Sequence, residues 1–157
     1  MNFFIQVINL HILRLMIMAL TNKKFGELVD LLMLELDLDT DLSVDRLWNK
    51  YEVSFSDDSE YIILNEEQQL ESVKDSLHET ASYFSSGFLE AMTGIPSEAF
   101  EALEGHDNAV VKIIEATCGL DAFAEECIDV DGAGHFLAHY DGEEIELDGE
   151  YSAFRIN

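Results

Sequence analysis

The sequence predicts an α+β fold, in which helices from the N-terminal two thirds of the chain pack on a small C-terminal antiparallel β-meander. Apolar residues recur at helical spacing early in the chain, most clearly in the stripe from Phe25 to Leu36. Near the end, three Asp-Gly pairs separate short runs of residues, and such pairs between alternating runs are typical of β-hairpins. Because the helical patterns come first and the strand patterns last, the order indicates α+β rather than alternating α/β.

Residues 1–20 form a strongly apolar N-terminal extension that carries no acidic side chain. The extension has about the length of a membrane span, but His11 and Arg14 interrupt it, and ionisable groups are costly at mid-bilayer. Three interpretations stay open: a start codon assigned too early, an amphipathic helix, and a membrane anchor. We predict that residues 1–17 are dispensable and that residues 21–157 form a single acidic α+β domain.

Two helices are predicted in the first third of this domain. The stripe from Phe25 to Leu36 places its apolar residues at i, i+3, i+4, i+7, i+8 and i+11, which is one face of a helix. Ser43 is a favourable N-cap residue for a second helix. The apolar and aromatic residues that follow it share one helical face, and they are Val44, Leu47, Trp48 and Tyr51.

A short strand and a long helix are predicted next. Residues 60–64 are mostly apolar and follow a turn, which predicts a strand or an extended lead-in. Asn65 is predicted to cap a helix that runs from Glu66 to about Phe84, with acidic residues in its first turn, where the helix dipole favours them. Three shorter helices are predicted over residues 98–103, 109–117 and 121–128.

The meander is predicted over residues 129–157. Its turns are Asp131-Gly132, Asp141-Gly142 and Asp148-Gly149, interpreted as type I′ turns with positive φ at the glycines. Its strands would be the runs that these turns separate, namely residues 135–140, 144–147 and 151–156. Alternation along the second run predicts that its two glutamates point to solvent, on the face opposite Ile145 and Leu147.

The charge departs most from that of an ordinary domain, with 33 Asp and Glu against 8 Lys and Arg and a formal net charge of −25. Such a surface repels nucleic acid and acidic membranes, and it attracts basic protein surfaces in a salt-dependent way. Carboxylates that recur every three or four residues lie about 5–6 Å apart on a helix, which is close to phosphate spacing along one nucleic-acid strand. The predicted partner-binding acids are Glu67, Glu71, Asp75, Glu79, Glu98, Glu101, Glu143, Glu144 and Glu146.

Motifs for catalysis and metal binding were sought as alternatives. GxSxG, HExxH and CxxC motifs are absent from the sequence, so no catalytic residue is predicted. Residues 129–140 lack the oxygen ligands that a calcium loop requires at its fifth and twelfth positions. A zinc set matching no known spacing can be drawn from Cys127, Asp131, His135 and His139. We therefore expect a protein without enzymatic activity, metal or cofactor, whose two cysteines are buried reduced thiols.

The C-terminal stretch reads GHFLAHYDGEE over residues 134–144 and YSAFRIN over residues 151–157. It resembles the ending of small uncharacterised acidic proteins of phages, prophages and plasmids. In size, acidity and α+β make-up the chain is similar to antirestriction and anti-CRISPR proteins, which imitate the charge of DNA to occupy a host nuclease. The resemblance implies a cytoplasmic DNA mimic from a mobile element that blocks a restriction or CRISPR nuclease.

Two other interpretations of the acidity stay open. A small acidic adaptor or regulator would bind a basic protein partner without imitating DNA, through an apolar cluster with an acidic rim. A halophile-type protein would carry the same charge as a solvated surface. In all three cases we expect no direct binding of nucleic acid. Membrane association is expected only if residues 1–20 form an anchor, and a homodimer stays open.

Overall fold

The computed structural model describes residues 23–37, 42–47, 50–55 and 57–157. It confirms the α+β class. The strands form a five-stranded antiparallel sheet with the order β1-β2-β3-β5-β4. The strands are β1 (Leu42–Leu47), β2 (Lys50–Phe55), β3 (Glu60–Asn65), β4 (Glu144–Glu146) and β5 (Tyr151–Arg155).

Helix α1 covers residues 23–35 and precedes the first three strands. The remaining helices lie between β3 and β4 in the sequence. They are α2 (Glu66–Thr80), a short 3₁₀ turn (Ala81–Tyr83), α3 (Ser86–Thr93), α4 (Ser97–Glu101), α5 (Asp107–Thr117), α6 (Leu120–Asp131) and α7 (Ala133–Leu137).

The sheet separates two hydrophobic cores, because successive side chains of a strand point to opposite faces. On β3, Ile63 packs with α1, whereas its neighbour Leu64 packs with the later helices. On β5, Ala153 and Phe154 divide in the same way. We call the side of α1 the α1 core and the side of α2 to α7 the main core.

Two predicted helices begin where the sequence places them, although α2 ends at Thr80 rather than near Phe84. The apolar stripe of α1 is buried in the α1 core, including Leu28 and Leu32. Helix α2 begins with a capping box, in which the Asn65 side chain accepts a hydrogen bond from the Gln68 amide at 2.9 Å. The Gln68 side chain accepts one from the Asn65 amide at 3.0 Å. This exchange satisfies two backbone donors that a helix start otherwise leaves unpaired.

The predicted helix after Ser43 is wrong, because this segment forms β1 and β2, which pair from Leu42 opposite Phe55 to Leu47 opposite Lys50. Trp48, which we expected on the helix face, lies outside the described residues. Residues 51–55 alternate apolar and polar, which is a strand pattern, and β2 also pairs with β3. Pairing on both sides of β2 outweighs the weak helical preference of a four-residue face.

The predicted strand over residues 135–140 is also wrong, because the chain forms α7 there. Gly132, with φ of 80°, ends α6 and lets the chain enter a new helical turn. Gly134 then packs against the loop before β4, where a Cβ atom would lie 2.5 Å from the Gly142 carbonyl oxygen. The meander is therefore reduced to the hairpin of β4 and β5.

The turn glycines behave in part as predicted. Gly132, Gly142 and Gly149 all have positive φ, between 74° and 80°. The aspartates before them do not, because the non-glycine residues with positive φ in the described ranges are Asp37 and Asp58. The turns are therefore not type I′. Asp141 and Asp148 instead accept hydrogen bonds from backbone amides two residues ahead, at 3.0 and 3.2 Å.

Candidate functional site

All nine predicted partner-binding carboxylates are exposed. Four lie on α2, two lie on α4, one lies in the loop before β4, and two lie on β4 itself. The set is consequently spread over three regions of the surface. Its members, in that order, are Glu67, Glu71, Asp75, Glu79, Glu98, Glu101, Glu143, Glu144 and Glu146.

Lys74 forms an ion pair with one of the predicted acids of α2, Glu71. Its Nζ lies 2.5 Å from a Glu71 oxygen and 2.6 Å from an Asp121 oxygen on α6. Hydrogen bonding to Asp121, and then to Glu71, raises the pKa of Lys74. The pair with Asp121 joins α2 to α6. Lys74 therefore neutralises part of the charge at the middle of α2 and leaves the ends of the helix acidic.

The acids of β4 lie on an edge strand. Glu144 is opposite Phe154 and Glu146 is opposite Ser152, and the Ser152 hydroxyl donates a hydrogen bond to Glu144 at 2.6 Å. Ile145 packs against the α1 core, so the predicted alternation of this run is confirmed. Charged side chains on an edge strand also discourage pairing with another chain. These carboxylates thus have a structural use that is independent of any partner.

A groove, which sequence reasoning missed, lies between α2 and the end of α6 with α7. Its volume is about 880 Å³, within the range of ligand and peptide pockets. Its floor is aromatic, since the half-buried rings of Phe84, Phe88 and Phe136 line it. Phe84 stacks on Phe88 at 5.6 Å between ring centroids and on Phe136 at 6.2 Å.

The rim of the groove carries carboxylates. Asp75 and Glu79 line it from α2, and Asp131 lines it from the end of α6. The other seven predicted acids do not line it. The structure therefore brings two of the nine together with an apolar surface, and it adds Asp131, which was not among the predicted partner-binding acids.

Two exposed apolar side chains also belong to the groove. Tyr83 is 74% exposed and Val130 is 60% exposed, and they come from its two opposite walls. Large apolar side chains with this exposure are few in the described residues, the others being Leu34 and Tyr140. Tyr140 lies outside the groove, and the Arg155 guanidinium lies 3.8 Å from its ring centroid.

The chain leaves α2 through the 3₁₀ turn, and hydrogen bonds fix that turn in place. The Ser82 amide donates to Asp107 at 2.8 Å, and the Gly105 amide donates to the Ser82 hydroxyl at 3.1 Å. Hydrogen bonding from Ser82 lowers the pKa of the Asp107 carboxyl. The turn therefore presents Tyr83 outward and Phe84 inward at the groove because it is attached to the start of α5.

Ser72 of α2 lines the groove and is only 5% exposed. Its hydroxyl oxygen is buried and has no hydrogen-bond partner among the described residues. A buried polar group without a partner costs about 1–3 kcal/mol.

The zinc set drawn from the sequence does not assemble. His135 and His139 are exposed at the groove, but the described residues contain no cluster of three or more side chains suited to a metal. Cys127 is buried, and burial raises the pKa of its thiol to about 12. The thiolate is the reactive form of cysteine, so the raised pKa keeps the Cys127 thiol protonated and weakly nucleophilic at neutral pH. Cys118 is a half-buried free thiol.

Among the helices that the structure describes, none has the combination of length and hydropathy that crossing a bilayer requires. Comparison of the chain with protein-family models, with curated proteins and with solved structures gives no match. The fold and the site define an acidic α+β domain with an apolar groove.

Proposed function

We propose that this chain is a non-enzymatic binding protein that engages a positively charged surface of another protein. The observation that carries the proposal is the exposure of all nine predicted carboxylates in a chain of net charge −25. Opposite charge steers the encounter of two proteins and raises their association rate, and salt screens this effect.

The partner that the charge fits best is a DNA-binding defence enzyme of the restriction or CRISPR type. Such an enzyme carries Lys and Arg where the DNA phosphates lie, and when these residues neutralise a polyanion, the counterions held by the polyanion are released. In this proposal the chain acts in the cytoplasm as a DNA mimic, and the acids of α2, α4 and the β4 region contact the basic site. Binding would then fall steeply with salt and compete with duplex DNA.

The test is inhibition of DNA cleavage. The full chain is titrated into a restriction digest and into a Cas nuclease assay at low and at physiological salt, with polyglutamate of equal charge as control. We expect inhibition by the protein at concentrations where polyglutamate has none, and loss of inhibition as salt rises. If no DNA-binding enzyme in the panel is inhibited at low salt, DNA mimicry is refuted.

A matched pair of triple variants tests which acidic residues are needed for inhibition. Three substitutions to Gln at Glu67, Glu98 and Glu101 remove charge from the predicted surface outside the groove. The control triple variant carries Glu115→Gln, Glu125→Gln and Glu126→Gln on α5 and α6, which removes the same charge from exposed positions. We expect the first triple variant to inhibit less well than the control. Equal effects would mean that net charge acts and that the predicted surface does not.

The groove favours a second candidate, a small acidic adaptor. An adaptor binds through a few apolar anchors surrounded by a polar rim, and the aromatic floor with Asp75, Glu79 and Asp131 has this arrangement. Competition separates the two candidates. Duplex DNA displaces a mimic from its partner, whereas an adaptor bound through the groove stays bound.

A further inference from the structure

We propose that the groove binds one amphipathic helix of a positively charged protein, with the apolar face of that helix on the aromatic floor and its Lys and Arg residues at the rim. The inference rests on the proposed function in requiring a basic partner. It goes further by naming the contact site and the form of the partner segment.

The walls of the groove select a helix over an extended strand. A peptide in β-strand conformation binds by adding to an exposed sheet edge, where unpaired backbone groups form hydrogen bonds with it. This groove is walled by α2 on one side and by α6 and α7 on the other, and its floor consists of side chains. The surface therefore offers an incoming segment apolar contact rather than a backbone ladder, which is how grooves bind amphipathic helices.

The apolar anchors come from both walls and from the floor. Tyr83 and Val130 expose apolar surface that an occupant would remove from water, and Phe84, Phe88 and Phe136 lie between them half buried. Aromatic side chains in such pockets supply much of the binding energy of protein interfaces. The size of the groove fits several side chains from successive turns of one helix.

Charge decides which helix fits. Asp75, Glu79 and Asp131 line the groove, and its described lining contains no Lys or Arg. A helix with an acidic polar face would meet like charges at close range, which disfavours binding. A helix with Lys and Arg beside its apolar face meets opposite charges instead.

Three synthetic peptides test these requirements with the full chain. The probe is a labelled 14-residue peptide with Leu at i, i+3, i+4, i+7 and the repeats of this pattern, and Lys at the other positions. One control keeps the Lys residues and replaces Leu by Ser, and the other keeps Leu and replaces Lys by Glu. Fluorescence anisotropy at low salt should show that the Leu/Lys peptide binds. The affinity of the Ser/Lys peptide should be lower by a factor of about ten or more, and the Leu/Glu peptide should not bind.

The peptide results separate the two proposals. If the Ser/Lys peptide binds as tightly as the Leu/Lys peptide, the groove inference is overturned and binding by charge stands. If neither cationic peptide binds at low salt, the proposed function fails and the groove inference fails with it. Binding of the Leu/Glu peptide equal to that of the Leu/Lys peptide overturns the basic-partner requirement.

A matched pair of double variants locates the site. Tyr83→Ser with Val130→Ser removes the exposed anchors of the groove, whereas Leu34→Ser with Tyr140→Ser removes similarly exposed side chains that do not line it. Neither pair changes the charge, and thermal melts verify that both fold. We expect the groove pair to weaken Leu/Lys binding about tenfold and the control pair to change it less than twofold. Equal effects of the two pairs overturn the assignment.

A photo-crosslinker identifies the occupant directly. The full chain with Tyr83→p-benzoylphenylalanine is irradiated with the Leu/Lys peptide and digested for mass spectrometry. Crosslinks to the peptide support the proposal. Crosslinks to residues 1–22 of the same chain, or to a second copy of the chain, that persist at saturating peptide overturn it and identify that segment or that copy as the occupant.

Discussion

Replacing Gly134 by Ala tests the packing that places α7 at the groove. Gly134 lies in α7, and its ideal Cβ atom would be 2.5 Å from the Gly142 carbonyl oxygen and 3.0 Å from the Glu143 carbonyl carbon. Both atoms belong to the backbone, so the clash cannot be relieved by turning a side chain. Alanine would otherwise be favourable in a helix, by about 0.5–1 kcal/mol relative to glycine. Overpacking of a well-packed site costs about 1–3 kcal/mol, which exceeds that gain.

Gly87 is the matched control. It also lies in a helix, α3, but no atom lies within 4 Å of its ideal Cβ and its φ is not positive. Gly87→Ala should therefore raise the free energy of unfolding by about 0.4–1 kcal/mol. Gly134→Ala should lower it by about 1–2 kcal/mol, so the two substitutions have opposite signs.

The assay is urea unfolding followed by far-UV circular dichroism, with midpoints compared at equal slope. A change of about 1 kcal/mol moves the melting temperature of a chain of this size by about 2–4 °C, so thermal melts give a second measurement. If Gly134→Ala is as stable as the parent chain while Gly87→Ala is stabilised, the close approach of α7 to the loop before β4 is refuted. The α7 wall of the groove would then need another explanation.

Four further predictions concern other parts of the chain. Gly142→Val should lower the free energy of unfolding by about 1–2 kcal/mol in the same urea assay, because a β-branched residue is strained at the observed φ of 74°. An unchanged unfolding midpoint would contradict the predicted strain. Glu144→Lys with Glu146→Lys should leave the fold intact and lower the melting temperature by about 2–4 °C at most, since both side chains are exposed on the edge strand and the hydrogen bond from Ser152 to Glu144 is lost. The double variant should weaken inhibition of a DNA-cleaving enzyme, and unchanged inhibition removes β4 from the functional surface. Hydrogen bonding from Ser82 lowers the pKa of Asp107 below its ordinary value of 3.8. The ionised carboxylate therefore stabilises the fold at pH values above 3.8, and this stabilisation is lost as pH falls through the lowered pKa. Asp107→Asn should therefore flatten the acid side of a stability-against-pH curve, and a parallel loss at all pH values would contradict the assignment. A chain that starts at Met18 should melt and inhibit as the full chain does, and precipitation or a much lower melting temperature would show that residues 1–17 belong to the fold.

Local sequence determined the elements whose cause is local. The capping box of Asn65 and Gln68 needs only residues that are three apart, so the start of α2 could be predicted. The stripe from Phe25 to Leu36 likewise fixes which face of α1 is buried. The positive φ of Gly142 and Gly149 follows from the residue type that best tolerates it. The exposure of the acids follows from the cost of burying charge.

Tertiary structure decided the secondary structure of segments in which the local sequence signals conflict. The apolar residues from Val44 to Tyr51 present a short helical face, but the described parts of this segment, residues 44–47 and 50–51, lie in strands because β2 pairs with both β1 and β3. Residues 135–140 lie between two Asp-Gly pairs like a strand, but residues 135–137 form part of α7, where Gly134 lets the helix approach the loop before β4. In both cases the structure is decided by contacts with other segments of the chain, and local sequence patterns carry no information about such contacts.

The candidate site is also a feature that tertiary structure decided. The groove collects residues from Ile62 to His139, and the aromatic floor arises because Phe84 and Phe136 stack across 52 positions of sequence. The cluster of Tyr83, Phe84 and Phe88 is visible in the sequence, but its exposure is not, since aromatic residues at such spacing usually fill a core. Sequence could therefore predict the charge that the partner meets. The apolar surface inside that charge exists only because the turn after α2 and the short helix α7 fold onto the same side of the sheet.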